Sequence, residues 1–502
     1  VAIKTKTDRV WRVLLIIGFL TVVLLPFAAA ILDSKGRGEL ESTFIPAFLA
    51  KSILLPALGA TLGLFFAVPL AVAASSSRRY GRLWVGLAAA GLVIPPFILC
   101  YTWEILFAEI KFLGFLRGSA GCVLLFALST WPVEALAILG AIRRESARLL
   151  DAARLEAGGR KAFFGVALPL MFPGIAMGWT LAFILGFADF SVPQRLGVFT
   201  LSEKIAVRLA QDYRIDSAVL MLPAYLIVVV AALLALKILA GRSPVAQSGV
   251  FSGRGAFRPS PLAWAPAIIG LALSVVLPLG VLARDLSIEG VREVLGSFWR
   301  HILSSAILAA VSATCIIFIS FLAAFGRYSR KLPTSWALEG LLAIPFALSG
   351  FLVAVGVKRA LGWAALDTTP LVLVAAYIAR YLFIAYEGTR ITLISIDRSL
   401  LDAAELSGAG RFRRLFFIIL PLSLRPLVAI WSLVFTLILT ELDVALLVAP
   451  PSWETASFAL HNQMHYGYNE LTSALAFIMV ALGALPFLIF VLAGPRYGDA
   501  RN

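Results

Sequence analysis

Apolar runs of about 20 residues, separated by short polar stretches, recur from one end of the chain to the other. A run of that length makes a helix that spans a hydrocarbon core about 30 Å thick. Runs near 11–32, 52–73, 83–106, 120–142, 163–190 and 216–239 form a first set. Runs near 262–283, 302–325, 333–357, 369–387, 415–440 and 470–494 form a second. Between them lies Gly241 to Pro261, rich in Gly, Ser, Pro and Arg, which reads as an exposed linker. Barrel strands would be shorter and would alternate. The pattern therefore predicts an all-α polytopic membrane protein of twelve helices, with halves 1–240 and 262–502 joined by a linker at 241–261. The first run lacks a small-residue cleavage site and is long enough to span, so it reads as a helix rather than a signal peptide.

The two halves carry the same polar word. Asp151 to Leu170 reads DAARLEAGGRKAFFGVALPL, and Asp402 to Leu422 reads DAAELSGAGRFRRLFFIILPL, 251 positions on. Other marks repeat at nearly the same spacing. Pro95 lies 56 residues before Asp151, and Pro345 lies 57 before Asp402. Asp189 follows Pro169 by 20 residues, as Glu441 follows Pro421. Six helices between equivalent points give the halves the same orientation, a parallel repeat about an axis along the membrane normal.

Composition agrees with the pattern. The chain of 502 residues is 61% hydrophobic and 14% charged, against about 25% charged in a soluble protein. Its net charge of +15 reads as positive cytoplasmic loops, not as a nucleic-acid surface. With the amino terminus inside, 27 of the 43 Lys and Arg fall in inside segments and 14 in outside ones. That puts both termini and both words in the cytoplasm. Cys100, Cys122 and Cys315 each lie in an apolar run and read as small core residues, neither a disulfide set nor metal ligands.

The word has a local logic. Asp402 suits a helix N-cap, Ala403, Ala404, Glu405 and Leu406 favour helix, and Gly408 and Gly410 end it. Arg411, Arg413 and Arg414 then suit lipid phosphates, and Pro421 and Pro426 are expected to bend the next helix. The expectation is a short cytoplasmic helix along the membrane, with small residues that allow another protein to approach.

The doubled word resembles the signature of binding-protein-dependent ABC importer permeases: Glu-Ala-Ala, three residues, Gly, nine residues, Ile-x-Leu-Pro. The second copy fits throughout, with Asp402, Ala403, Ala404, Gly408, Ile418, Leu420 and Pro421, and Asp in place of Glu. The first has Asp151, Ala152, Ala153, Leu168 and Pro169, but is one residue short, so that the Gly position falls beside Gly158. The resemblance implies the type I importer permease fold, fused from two halves and most like the ferric-ion permeases. Thiamine permeases are similar in layout, with polyamine and phosphonate systems more distant. It implies that both words couple to two copies of a cytoplasmic ATPase, that a periplasmic or lipid-anchored binding protein delivers substrate, and that the site is an inner membrane with its lipids. No Gly-x4-Gly-Lys-Ser/Thr loop occurs in the chain, so the resemblance leaves ATP and Mg to the ATPase and no cofactor to this chain. No catalytic or metal set stands out, and the chain does not read as an enzyme. The rival class is an ion-gradient-driven transporter, which would need an essential buried carboxylate. Glu134 is the candidate.

Ionisable residues within helices are candidates for a path or gate. Glu134 and Arg380 fall in corresponding helices, either as a central pair or path lining, or as hydrogen-bonded packing groups. Asp189, Glu441 and Asp443 lie near helix ends where water is expected, as acids that attract a cation or as a gate latched by arginines. His461 and His465 share a face if helical, and read as a solvated loop or a binding-protein contact rather than a metal site. Trp11, Trp84 and Trp363 suit interfacial anchors.

Overall fold

The structure is a computed structural model that describes residues 45–76, 81–141, 153, 155–156, 158, 161–211, 221–241, 264–329, 336–362, 365–467 and 469–493. The expected first helix near 11–32 and the linker beyond Gly241 lie outside the described residues, as do Trp11 and Trp363. Among the described residues the chain is helical throughout, without strands. Eight helices there are long and apolar enough to cross a membrane, and a bent pair makes a ninth.

In chain order the helices before the linker are α1 (Ile45–Ser76), α2 (Gly81–Gly91), α3 (Pro96–Glu109), α4 (Ser119–Ala141), α5 (Phe164–Ala188), α6 (Ser191–Arg195), α7 (Leu201–Gln211) and α8 (Leu222–Gly241). After it come α9 (Ala265–Arg284), α10 (Ile288–Ser297), α11 (Trp299–Ser329), α12 (Trp336–Ala347), α13 (Gly350–Gly362) and α14 (Leu371–Ile394). The last are α15 (Arg398–Leu406), α16 (Phe412–Leu439), α17 (Asp443–Val448), α18 (Ala456–Gln463) and α19 (Glu470–Ala493).

Two of the expected spans are broken. The run near 83–106 divides into α2 and α3 at Pro95-Pro96. Proline drives the residue before it out of the α region, and Pro95 is extended while Pro96 opens α3. The run near 333–357 divides into α12 and α13, which meet at 108°. Pro345 sits in the last turn of α12. The bends expected at Pro421 and Pro426 are not seen as breaks, because α16 runs through both. A π turn over Leu415–Ile419 precedes Leu420-Pro421 instead. The same device occurs at Phe163–Ala167 before Leu168-Pro169, and at Ala272–Val276 before Leu277-Pro278. Widening one turn relieves the clash of the proline ring with the preceding turn and lets the helix continue.

Two trios of helices organise the packing, α1 with α4 and α5, and α11 with α14 and α16. In the first, Trp179 of α5 donates its indole N–H to Thr61 of α1 at 3.1 Å, and stacks on Phe183. In the second, Trp431 of α16 donates to Thr314 of α11 at 3.1 Å, and stacks on Phe435. Both threonines also bond the carbonyl four residues back, which satisfies their hydroxyls inside the helix. Ser52 and Ser305 make a second such pairing, accepting the N–H of Leu201 at 2.6 Å and of Ala456 at 2.7 Å. Helix α9 follows the linker but packs on elements that precede it. Trp131 donates to Ser274 at 3.2 Å, Arg284 grips Glu109 through two bonds of 2.8 Å, and the Trp84 and Trp264 rings lie 4.9 Å apart. Trp84 thus makes a helix contact of its own.

Candidate functional site

The joints between α5 and α6, α12 and α13, and α16 and α17 converge on one buried charge cluster. Arg380 of α14 reaches Glu441 at 3.3 Å and Asp443 at 3.9 Å, and donates to the Leu348 carbonyl at 3.3 Å. Asp443 accepts the Gly350 N–H at 3.3 Å, at the start of α13. The Tyr381 hydroxyl donates to the same oxygen of Glu441, Oε2, that Arg380 approaches. Asp189 accepts from Ser191 at 3.1 Å and from the Val192 N–H at 2.9 Å, and interacts electrostatically with both Arg380 and Glu441. Beside it the Phe190 and Phe351 rings lie 4.7 Å apart. A carbon added at Gly350 would come within 2.6 Å of Arg380 Nη1 and 2.8 Å of Glu441 Oε1, and would also strike Asp443. Glycine is therefore what lets the α12–α13 joint sit against the charges.

These positions depart from expectation in two ways. Glu441 and Asp443 were expected to meet water, but are 6% and 8% exposed. Glu134 and Arg380 do not pair. Glu134 lies instead inside the first trio, wholly buried, and neither of its oxygens has a hydrogen-bond partner. The packing hydrogen bond that was its alternative role is absent too. Gly63 of α1 and Gly178 of α5 close on it: a carbon added at either would come within 2.6 Å of its carboxylate or 2.8 Å of its Cα. Tyr381 and Gly350 were not singled out from sequence. The adjacency of Tyr381 to Arg380, and the small residues Ser349-Gly350 following Pro345, were the available signals.

His461 is not in a solvated loop. It is buried in α18, with its ring 6.5 Å from that of Phe190. Burial, followed by the charges of His465 and Arg195, pushes its imidazole pKa down to about 4. His465 lies 3.4 Å from it, ring nitrogen to ring nitrogen. No group of three or more His, Cys, Asp and Glu placed to hold a metal occurs among the described residues.

At the other end of α16, the second word forms α15. Its N-cap is Asp397, whose side chain accepts the Ser399 N–H at 2.9 Å. This bond holds the Asp397 carboxyl below the usual aspartate range. Asp402 is therefore not the cap. It lies inside the helix, exposed, with Ala403. Gly408 closes the helix at φ +79, with its N–H on Glu405 O at 3.0 Å and the Ala409 N–H on Ala404 O at 2.9 Å. That is a Schellman end, which needs a left-handed residue just past the cap. Arg414 pairs with Glu405, at 2.5 Å. Ile418 and Leu420 are half-buried and Pro421 is exposed. In the first word Asp151 and Ala152 lie outside the described residues, and Ala153 packs against the core. Leu168 is half-buried and Pro169 exposed. Gly158 has φ +78, the conformation of Gly408 despite the missing residue. The most exposed large hydrophobic side chains of the two words are Leu155 and Leu406, 251 positions apart and 89% and 90% exposed. Their shared repeat spacing is the signal in the sequence that marks them.

Comparisons with known proteins bear on this geometry. The putrescine transport system permease protein PotI of Escherichia coli (strain K12) is 29% identical over 199 residues, 38% of this chain and 70% of that protein. The spermidine/putrescine transport system permease protein PotC of the same strain is 34% identical over 101 residues, 20% of this chain and 37% of that protein. A putative ABC transporter permease protein, ORF2 of Caldicellulosiruptor sp. (strain Rt8B.4), is 27% identical over 205 residues, 40% of this chain and 72% of that protein. Residues 316–499, which include α15, its left-handed glycine, Arg380, Glu441 and Asp443, match the family model described as binding-protein-dependent transport system inner membrane component.

Proposed function

We propose that the chain is a transmembrane permease of an ATP-driven importer, two six-helix halves that pass a binding-protein-delivered substrate by alternating access. The match of residues 316–499 to the binding-protein-dependent family carries this reading. A duplicated chain is supported by the paired bonds of Thr61 with Trp179 and Thr314 with Trp431. The left-handed glycines 158 and 408 support it as well. On this reading the run near 11–32 is the first of twelve spans, and both termini are cytoplasmic by the count of basic residues.

Two copies of a cytoplasmic ATPase, with ATP and Mg bound there, dock on Asp151–Pro169 and Asp402–Pro421. Leu155 and Leu406 supply exposed apolar contact. The Arg380 cluster, 20 residues along α16 from Pro421 and so about 30 Å away, serves as the gate toward the binding protein. The names of the relatives put polyamines ahead of ferric ion as the substrate, and three carboxylates around one guanidinium suit a cation.

The test is a cysteine at Ala403, which is exposed on α15, in the full chain co-expressed with its ATPase. Native Cys100 and Cys122 are buried, and Cys315, half-buried in α11, is replaced by serine in the starting chain. We expect a cross-link to the ATPase that changes in yield when nucleotide is trapped. A cysteine that never joins an ATPase subunit would remove the coupling role.

A further inference from the structure

The geometry points to the carboxylates around Arg380 as a binding site for an organic ammonium or amidinium group of the substrate, filled in this conformation by the Arg380 guanidinium as a tethered stand-in. It rests on the reading that the cluster lies on the substrate path.

Charge is the first argument. Asp189, Glu441 and Asp443 face a single guanidinium, and each acts electrostatically on the others. Geometry is the second. Arg284 holds Glu109 through two bonds of 2.8 Å, the fork that guanidinium and carboxylate form when fully matched. Arg380 makes no such fork. Its approaches are 3.3 Å to one oxygen of Glu441 and 3.9 Å to one oxygen of Asp443. The third is an unused acceptor. Glu441 Oε1 is buried without a hydrogen-bond partner, while Tyr381 fixes the other oxygen. A buried acceptor left empty is unfavourable unless something fills it. Oε1 lies against the Gly350 backbone, together with Arg380 Nη1 and Asp443, where only glycine leaves them room.

The lining also selects the ligand class. Arg380 stands 5.9 Å from the Tyr381 ring centre, and carboxylates beside an aromatic face are the chemistry that recognises organic cations. The described residues offer no three-ligand grouping for a bare metal ion. An incoming ammonium would take the empty acceptor and displace the guanidinium, which retains the Leu348 carbonyl as a partner.

The test uses the full chain purified in detergent, without ATPase or binding protein. Thermal unfolding of Arg380→Ala is followed against methylguanidinium, putrescine, sodium and magnesium. We expect methylguanidinium and putrescine at millimolar concentration to raise the midpoint saturably, by about 3–5 °C, with sodium and magnesium ineffective. Arg380→Lys, with a shorter cation in place, should respond to the same two compounds by a smaller shift, and it serves where the alanine variant does not accumulate. Adding Glu441→Gln should abolish the response in either background. No saturable shift with either organic cation, or an equal shift after Glu441→Gln, overturns the site. ATP-dependent uptake is measured separately. Rescue without such uptake keeps the cation site and removes the importer reading, and uptake without rescue does the reverse.

Discussion

Single residues decide how each end of the long helices works. Gly408 meets nothing within 4 Å where a Cβ would stand, so its requirement is conformational and not steric. Forcing an L-residue into φ +79 costs about 1–2 kcal/mol, enough to fray the end of α15. We expect Gly408→Val to retain ATP hydrolysis while uptake per ATP falls several-fold, read as the ratio of the two rates in proteoliposomes. An unchanged ratio would remove the glycine from coupling. Asp397 makes a pH prediction at the same helix. Its carboxyl is depressed by the Ser399 N–H bond, so the cap is present above the ordinary aspartate pKa and is lost as pH falls through the lower folded value. Hydrogen exchange at the first turn of α15 should rise with acid in that window and should already be fast in Asp397→Ala at neutral pH. Glu134 shows the opposite situation, a buried carboxyl with no partner. Such a group carries its desolvation cost without a compensating bond, and it lies apart from the Arg380 cluster. Glu134→Gln should leave uptake near wild type, and a loss of uptake with normal folding would revive an ion-coupled mechanism.

At the scale of elements, hydropathy was enough to place the long helices, because each must satisfy its own backbone in lipid. The runs near 120–142 and 470–494 appear as α4 and α19 with ends shifted by few residues. What hydropathy could not place were the breaks. Pro95 and Pro345 were visible in the sequence, but the chain breaks between α2 and α3 and bends between α12 and α13, while α16 passes through Pro421 and Pro426. The outcome depends on whether a π turn absorbs the ring, and that depends on neighbours. The site was legible in part for the same reason. Asp189, Arg380, Glu441 and Asp443 stood out as charges in apolar runs, yet their meeting is set by joints that bring short helices inward. The Asp402 word was legible as a unit, whereas its cap was misplaced by five residues because Asp397 and Asp402 both suit an N-cap. The Gly350 joint yields a direct prediction. Gly350→Ala places a carbon against Arg380, Glu441 and Asp443, so it should lower the unfolding midpoint and uptake together. Gly340→Ala in the same pair of helices, with open space around it, should change neither.

At the scale of the whole molecule, the two trios, each with its Trp–Thr bond, form two closely packed bodies. Helix α9 ties them by packing on the elements before the linker. Leu406 stands near one end of α16 and the Arg380 cluster at the other, about 30 Å apart along the helix, which is the distance the proposed coupling has to cover. Rocking of such bodies needs an outside source of energy, and the chain has no phosphate-binding loop. The measurement that decides this is uptake of labelled putrescine into proteoliposomes holding the full chain, its ATPase and its binding protein. The account predicts that uptake requires enclosed ATP and the ATPase and persists when a protonophore collapses the proton gradient. Uptake that follows the proton gradient and continues without the ATPase or ATP would contradict it.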